Sequence, residues 1–185
     1  MPNHITNKIT FRGNQTNINT ILTLIRGNEQ YIDFERILPM PSNIYQGNLG
    51  SAERERYGSN NWYDWSIAHW GTKWNAYSSD FNGNENTIYF DTAWSAPIPI
   101  FQKLAEICYE HQVDFEGAWA DENRGYNIGT FDTSDGVLYY DYVEECSNEA
   151  YDIYVELKGE EDCMGKDENG NWVVYDCDNC PHKCY

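Results

Sequence analysis

The hydrophobic pattern of this chain changes twice from a period of two residues to the period of a helix, and this alternation limits its possible folds more than any other feature. Residues 5–11 alternate apolar and polar side chains, which is typical of a half-buried strand. Between Thr16, which can cap a helix, and Gly27, which can end one, apolar residues recur at helical spacing. These residues are Ile18, Ile21, Leu22 and Ile25. Residues 31–38 then predict a second strand.

The same order recurs further along the chain. Residues 73–79 and 87–92 predict two strands, residues 98–111 a helix with Pro99 in its first turn, and residues 113–120 a returning strand. Two strand–helix–strand units predict an α+β fold of the ferredoxin-like, split βαβ type. In such a sandwich, helices cover one face of a mainly antiparallel sheet.

Other segments extend this core. Residues 42–72 form an insertion. Its first part, residues 42–59, is polar and contains Gly, which predicts a loop or lid, and a short helix is predicted to follow Asn60 or Asn61. An extra β-hairpin is predicted over residues 128–143, and a weaker helix follows over residues 147–157. The ferredoxin-like α+β domain defined in this way spans residues 1–158.

Acidic residues dominate the charge of the chain. It carries 30 acidic and 12 basic residues, and residues 111–185 hold 19 of these acids against 4 bases. Such a field repels nucleic-acid phosphates and membrane surfaces and attracts basic proteins or cations. Either the charge serves solubility alone, or it imitates a nucleic-acid backbone and occupies a basic host protein. For the second case we expect the partner-binding acids around the extra hairpin: Asp132, Asp135, Asp141, Glu144 and Glu145.

Residues 159–185 form a Cys-rich appendage. Cys177 and Cys180 have the Cys-x2-Cys spacing that presents two thiolates to one metal, and tetrahedral zinc requires two further ligands. A hairpin over residues 166–172 would bring Cys163 across to this pair. The sequence therefore predicts a structural zinc ion held by Cys163, Cys177, Cys180 and Cys184, with His182 as an alternate ligand. Disulfides, which reducing cytosol disfavours, and a metal-free tail are the alternatives.

Three tryptophans lie in the most individual stretches of the sequence, residues 70–76 and 90–97. Indoles offer large, rigid faces, and aromatic rings beside a lysine can stack a base. If residues 73–75 form a strand, the side chains next to Trp74 point away from it. These stretches predict a small-ligand or nucleotide site made of Trp70, Lys73, Trp74, Asn75 and Trp94. The alternative is that the tryptophans fill the core.

The sequence shows no catalytic motif. It contains no Gly-x-Ser-x-Gly, no phosphate-binding loop and no His-Glu-x-x-His. The four histidines show no pairing with a nucleophile at a meaningful spacing. We therefore expect a protein that binds rather than an enzyme.

The same stretches carry a family resemblance. The segments MPNHITN (1–7), ILPMP (37–41), WGTKWNA (70–76) and FDTAWSAP (90–97) occur in this order. They resemble the YubB ferredoxin-like family of phage and plasmid proteins over about residues 1–130. The resemblance implies a ferredoxin-like fold and a gene on a mobile element, and it implies no activity because the family is of unknown function. The acidic hairpin and the Cys-rich appendage lie outside the part that resembles the family.

These observations lead to one expectation of function and one alternative. No apolar run approaches the roughly 20 residues that span a bilayer, and the N-terminus lacks the features of a signal peptide. We therefore expect a cytoplasmic interaction protein, encoded by a phage or plasmid, that inhibits a host defence factor through its acidic surface. The alternative is a small-ligand or nucleotide-binding protein, or an enzyme, that uses the Trp70–Trp94 region.

Overall fold

The computed structural model describes residues 3–161 and 163–175. Its strands are β1 His4–Gly13, β2 Tyr77–Asn82, β3 Thr87–Ala93, β4 Val113–Asp121, β5 Ile128–Ser134, β6 Val137–Tyr142, β7 Met164–Lys166 and β8 Trp172–Val174. Its helices are α1 Gln15–Ile25, α2 Phe34–Ile37, α3 Ser51–Tyr57, α4 Trp62–His69, α5 Ile98–Glu110 and α6 Asn148–Lys158.

The first six strands form one sheet in the order β2-β3-β1-β4-β5-β6, and every neighbouring pair is antiparallel. The part β2-β3-β1-β4, with α1 and α5 in its two crossovers, is the split βαβ arrangement. The hairpin β5–β6 widens this sheet, and β7–β8 is a separate two-stranded hairpin. The predicted ferredoxin-like α+β class is therefore confirmed, together with the extra hairpin.

Helices cover both faces of the sheet, although not equally. Ile5 and Ile9 of β1 point into the main core, which α1, α2 and α5 also line. Side chains at alternate positions of a strand point to opposite faces, and Lys8 on the other face pairs with Glu156 of α6. The expectation that helices cover one face therefore holds for α1, α2 and α5, whereas α6 lies on the opposite face.

A second, smaller core explains the position of α6. Ala120 of β4 and Ile128 of β5 are buried on the face away from the main core. They pack in one cluster with Ala150, Tyr151 and Tyr154 of α6. The apolar stripe of α6 therefore has its counterpart on the reverse side of β4 and β5, which periodicity along the helix alone does not reveal.

The structure differs from the local predictions at residues 31–38, which do not form a strand. They contain the short helix α2, in which Phe34 and Ile37 both reach the core at helical spacing. The Asp33 side chain caps this helix by accepting from the Glu35 amide at 3.0 Å. Asn75 accepts from the Phe34 amide at 2.8 Å, so a residue far along the chain helps to fix the helix start.

Three other boundaries also differ. Residues 73–76 precede the strand, and β2 begins at Tyr77. The insertion contains α3 as well as the expected α4, and the carboxylate of Glu53 accepts from the Gly50 amide at the start of α3. Helix α1 is capped by Asn14 instead of Thr16, because the Asn14 side chain accepts from the Thr16 amide at 2.9 Å.

Candidate functional site

An open groove of about 400 Å³ lies on the α6 side of the sheet. Strands β1, β4, β5 and β6 contribute to it, and Ile153 and Glu156 of α6 also line it. The groove is marked by its carboxylates. They are Glu116, Asp132, Asp141 and Glu156.

Among the residues that the structure describes, bases neutralise two of these four carboxylates. Glu156 accepts a hydrogen bond from Lys8, and this bond raises the pKa of Lys8. Glu116 lies 2.8 Å from the guanidinium of Arg12. In the register of β5 and β6, Asp132 is opposite Tyr139 and Asp141 is opposite Thr130, which makes the two aspartates diagonal neighbours on one face.

Asp132 and Asp141 therefore give the groove its negative field. Within residues 3–161 and 163–175 neither aspartate takes part in an ion pair. Both are exposed. Two carboxylates held close together without a counter-charge attract cations and basic side chains.

The remaining predicted partner-binding acids lie at the two ends of the hairpin. Asp135 occupies the tight turn between β5 and β6, with a left-handed φ of 52°. Glu144 and Glu145 follow β6 in the turn that leads to α6. All five predicted acids are exposed, but the structure brings only Asp132 and Asp141 together in the groove.

Strand β6 is an edge of the sheet and exposes tyrosines on both of its faces. Tyr139, Tyr140 and Tyr142 expose 57%, 45% and 65% of their surface. Tyr142 packs edge-on against Trp119, with ring centroids 5.3 Å apart. Sequence reasoning did not single out these residues. The available signal was the run of tyrosines through the predicted hairpin.

The predicted tryptophan site divides into a structural part and an exposed part. Trp70 is buried in the main core, and its indole N–H donates to the Leu38 carbonyl at 2.9 Å. Asn75 donates to Asp33 at 2.7 Å and accepts from the Phe34 amide, so it orders the start of α2. Trp70 is not available to a ligand, and the core alternative is correct for it, whereas Asn75 is half-buried and is engaged in these bonds.

The exposed part consists of Lys73, Trp74 and Trp94. The Lys73 ammonium lies 4.5 Å from the Trp74 ring centroid and 4.9 Å from that of Trp94, which is cation–π geometry on both sides. The expectation that Lys73 points away from Trp74 is wrong, because residues 73–76 are not a strand. Trp74 and Trp94 remain 38% and 41% exposed.

The backbone at Trp94 is held in an unusual conformation. Its φ is 74°, in the left-handed region that bulky residues avoid. The Trp94 amide donates to the Asn3 carbonyl at 2.9 Å. Asn3 in turn donates to the carboxylate of Asp121 at 3.0 Å. These bonds connect the exposed indole to the ends of β1 and β4, and strained residues held in this way are frequent at binding sites.

A second polar cluster beside the tryptophans escaped the sequence analysis. The Tyr77 hydroxyl and His4 Nδ1 are 2.8 Å apart, and burial raises the pKa of Tyr77 to about 12. Lys158 of α6 donates to the His4 carbonyl and to the Thr6 hydroxyl, each at 3.1 Å. Burial lowers the pKa of Lys158. The lysine thereby joins α6 to β1.

Of the predicted zinc ligands, only Cys163 lies in the described residues. It is partly exposed and directly precedes β7, and its carbonyl accepts from the Tyr175 amide at 2.8 Å after β8. The predicted hairpin between Cys163 and the remaining cysteines is thus present. Cys177, Cys180, His182 and Cys184 lie outside the described residues. Among residues 3–161 and 163–175, no group of three or more potential ligands is arranged to hold a metal.

The sheet topology and the sequence together define the class, an α+β protein with a ferredoxin-like domain. A family model described as the ferredoxin-like domain in Api92-like protein matches residues 73–171. Since this match covers more than half of the chain, the protein belongs to that family. It includes the acidic hairpin and α6, which the earlier resemblance over residues 1–130 did not, and it begins after the N-terminal strand and helix. No curated protein and no solved structure matches the chain.

The helices of the described residues were also compared with the length and hydropathy that a membrane span requires. None of them is long and apolar enough to cross a bilayer.

Proposed function

We propose that this protein is a non-enzymatic interaction protein, encoded by a phage or plasmid, that binds a basic protein of its host cell and inhibits it. The groove between α6 and the β5–β6 hairpin is the proposed contact surface. The target in this proposal is a defence factor whose basic surface ordinarily meets nucleic acid. The acidic groove takes the place of the phosphate backbone.

The observation that carries this proposal is the pair of unneutralised carboxylates, Asp132 and Asp141, in an open groove. The bases near the groove are already engaged, Lys8 by Glu156 and Arg12 by Glu116. A basic side chain from a partner would therefore meet two free carboxylates. Steering by such a field accelerates association and selects against acidic partners.

The net charge of the whole chain also supports a basic protein as the partner. The formal net charge is −18. A protein with this charge repels long nucleic acids and anionic membranes, so the favourable partner is a basic protein. The resemblance to phage and plasmid proteins supports a role against a host component.

The test is capture of host-cell proteins by the purified protein and by two charge-reversed variants. Asp132→Lys combined with Asp141→Lys removes the free carboxylates of the groove. Glu29→Lys combined with Glu55→Lys makes the same change in net charge at exposed positions outside the groove. We expect basic proteins to bind the parent and the control variant at low salt, and we expect the groove variant not to bind them.

Salt separates this function from mere solubility. Exposed charges are screened beyond about 8–10 Å near physiological ionic strength, so association should slow as salt rises. Equal capture by the groove variant and the control, or capture that salt does not weaken, would contradict the proposal.

A second candidate function follows from the sandwich of Lys73 between two exposed indoles. An aromatic anion such as a nucleotide could stack on Trp74 or Trp94 while Lys73 faces its phosphate. Calorimetric titration with nucleoside mono- and triphosphates tests this candidate. Binding that is lost in Lys73→Ala and in Trp94→Ala, and retained in the groove variant, would establish it in place of the acidic interaction.

A further inference from the structure

The backbone of β6 presents unpaired hydrogen-bonding groups on the side away from β5. The Val143 amide donates to the Ile128 carbonyl at 3.0 Å at the end of the β5–β6 ladder. In an antiparallel ladder, every second residue directs its backbone amide and carbonyl towards the partner strand. The backbone groups of Asp141 and Tyr139 therefore point to β5, and those of the intervening residues point outward, away from the sheet. The outward-facing residues are Leu138, Tyr140 and Tyr142.

No described residue bonds to these outward groups. Neither the backbone nor the side-chain hydrogen bonds of residues 3–161 and 163–175 include the amide or carbonyl of Tyr140 or Tyr142. The sheet order places β6 at the edge. The opposite edge, β2, has a register irregularity between Tyr77 and Asp80. Strand β6 is therefore the regular edge, and an exposed regular edge is a template for another strand.

We propose that the partner of the acidic groove supplies an extended basic segment that pairs with β6 as an additional strand. This inference rests on the proposed function and names the form of the partner at that site. In strand addition, main-chain hydrogen bonds provide affinity and alternate side chains provide specificity.

The side chains around β6 define the sequence that such a segment needs. On the α6 face it meets Tyr139 and Asp141 directly, with Asp132 diagonally behind them. On the other face it meets the exposed rings of Tyr140 and Tyr142. The complementary strand therefore alternates Lys or Arg, which face the groove, with apolar or aromatic residues, which face the two tyrosines.

Charge argues against a second copy of this chain as the occupant. A two-fold interface brings the same patch of both subunits together. If two β6 strands paired about Tyr140, Asp141 of each copy would be a diagonal neighbour of Asp141 of the other on the same face. These like charges would repel each other, and each copy carries a formal net charge of −18. A partner of opposite charge fits the same edge without this penalty.

The experiment uses the full-length protein and a short synthetic peptide of alternating lysine and valine as the probe. Tyr140→Pro removes an outward amide and leaves the ladder to β5 intact, since the Tyr140 amide is not part of that ladder. Tyr140→Ala removes the same ring but keeps the amide, and it is the matched control. We expect Tyr140→Pro to bind the peptide at least about tenfold more weakly than Tyr140→Ala.

Amide hydrogen exchange provides a measurement that does not depend on the proline variant. On binding of the peptide to the parent protein, the amides of Leu138, Tyr140 and Tyr142 should become protected. Equal affinity of the two Tyr140 variants, or unchanged exchange at these amides in the complex, would overturn strand addition. If one of these results is obtained but the Asp132→Lys, Asp141→Lys variant no longer binds the peptide, only the strand inference fails. Capture of host proteins that is indifferent to the reversals defeats the proposed function itself.

Discussion

Gly129 of β5 lies directly against the indole of Trp119 on β4. The two residues are partners in the antiparallel register. A Cβ at position 129 would come within 2.2 Å of the Trp119 ring and 2.6 Å of the Asp141 carbonyl. The reverse arrangement is found two pairs along the register, where Gly117 of β4 makes room for the ring of Phe131 on β5. The rings of Trp119 and Phe131 then stack at 6.3 Å, so glycine and aromatic alternate across the two strands.

Gly129→Ala should therefore destabilise the protein through overpacking. The backbone at Gly129 is not in the left-handed region, so the effect is steric, and the fully buried Trp119 cannot move aside. We expect a loss of about 3 kcal/mol in the free energy of unfolding. Gly165→Ala is the control, because its nearest neighbour would be at an ordinary 3.7 Å. Urea unfolding checks both, and equal midpoints would show that the packing at Trp119 is loose.

The periodicity of apolar residues predicted the regular strands and helices well. It was wrong where contacts with residues distant in sequence help to determine the secondary structure. Strand β1 and helix α5 follow directly from their apolar spacing. In residues 31–38, Phe34 and Ile37 are three residues apart, which puts both on one face of a helix but on opposite faces of a strand. Asp33 caps the helix locally, and Asn75 also accepts from the Phe34 amide, a contact that no local pattern contains.

The candidate sites likewise divide into features that follow from local sequence patterns and features that depend on tertiary contacts. That Asp132 and Asp141 share a face follows from the hairpin register, which the sequence predicted approximately. That α6 borders their groove does not follow, since the placement of α6 depends on the reverse side of β4 and β5. The Lys73–Trp94 contact joins two stretches of chain that meet only in the tertiary structure. Sequence reasoning named both residues without placing Lys73 between two rings.

The left-handed backbone at Trp94 predicts an unusual order of stabilities. Trp94→Ala and Trp94→Gly both remove the same indole, which is 41% exposed, so the difference between them reports the backbone at this position. A left-handed conformation costs a residue with a Cβ about 1–2 kcal/mol, and glycine adopts it freely. We therefore expect Trp94→Gly to be about 1 kcal/mol more stable than Trp94→Ala. Trp74, 38% exposed and without a positive φ, is the control. Thermal unfolding should give the usual order there, with alanine more stable than glycine.

Glu161 should contribute a stabilisation that acid removes. Arg124 Nε donates to Glu161 at 2.9 Å, and Tyr154 donates to the other carboxylate oxygen. The bond from Arg124 is the main cause that lowers the pKa of Glu161 from its usual value near 4.5. A carboxyl group whose pKa is lower in the folded state stabilises the protein above its unfolded-state pKa. That stabilisation is lost as the pH falls through the folded-state pKa.

Glu161→Gln should consequently lower the free energy of unfolding at neutral pH and reduce its decline below about pH 4.5. We expect a loss of about 1 kcal/mol at pH 7, since Arg124 and Glu161 are more than a third exposed. Urea unfolding from pH 7 down to pH 3 measures it, with Glu160→Gln at an exposed position as the control. Identical pH profiles for the parent and Glu161→Gln would show that the contact contributes nothing.

The last prediction concerns the Cys-rich appendage, for which we propose one structural zinc ion per chain. The β7–β8 hairpin brings the Cys163 carbonyl to the Tyr175 amide, so Cys163 lies near the point where the chain continues towards Cys177. Protein purified without added metal should contain about one equivalent of zinc by elemental analysis. Replacing Cys177 and Cys180 together by serine should abolish it. Cys146→Ser, at an exposed cysteine outside the appendage, should keep the metal. The proposal fails if the parent protein is metal-free, or if cytosolic material contains a disulfide between these cysteines.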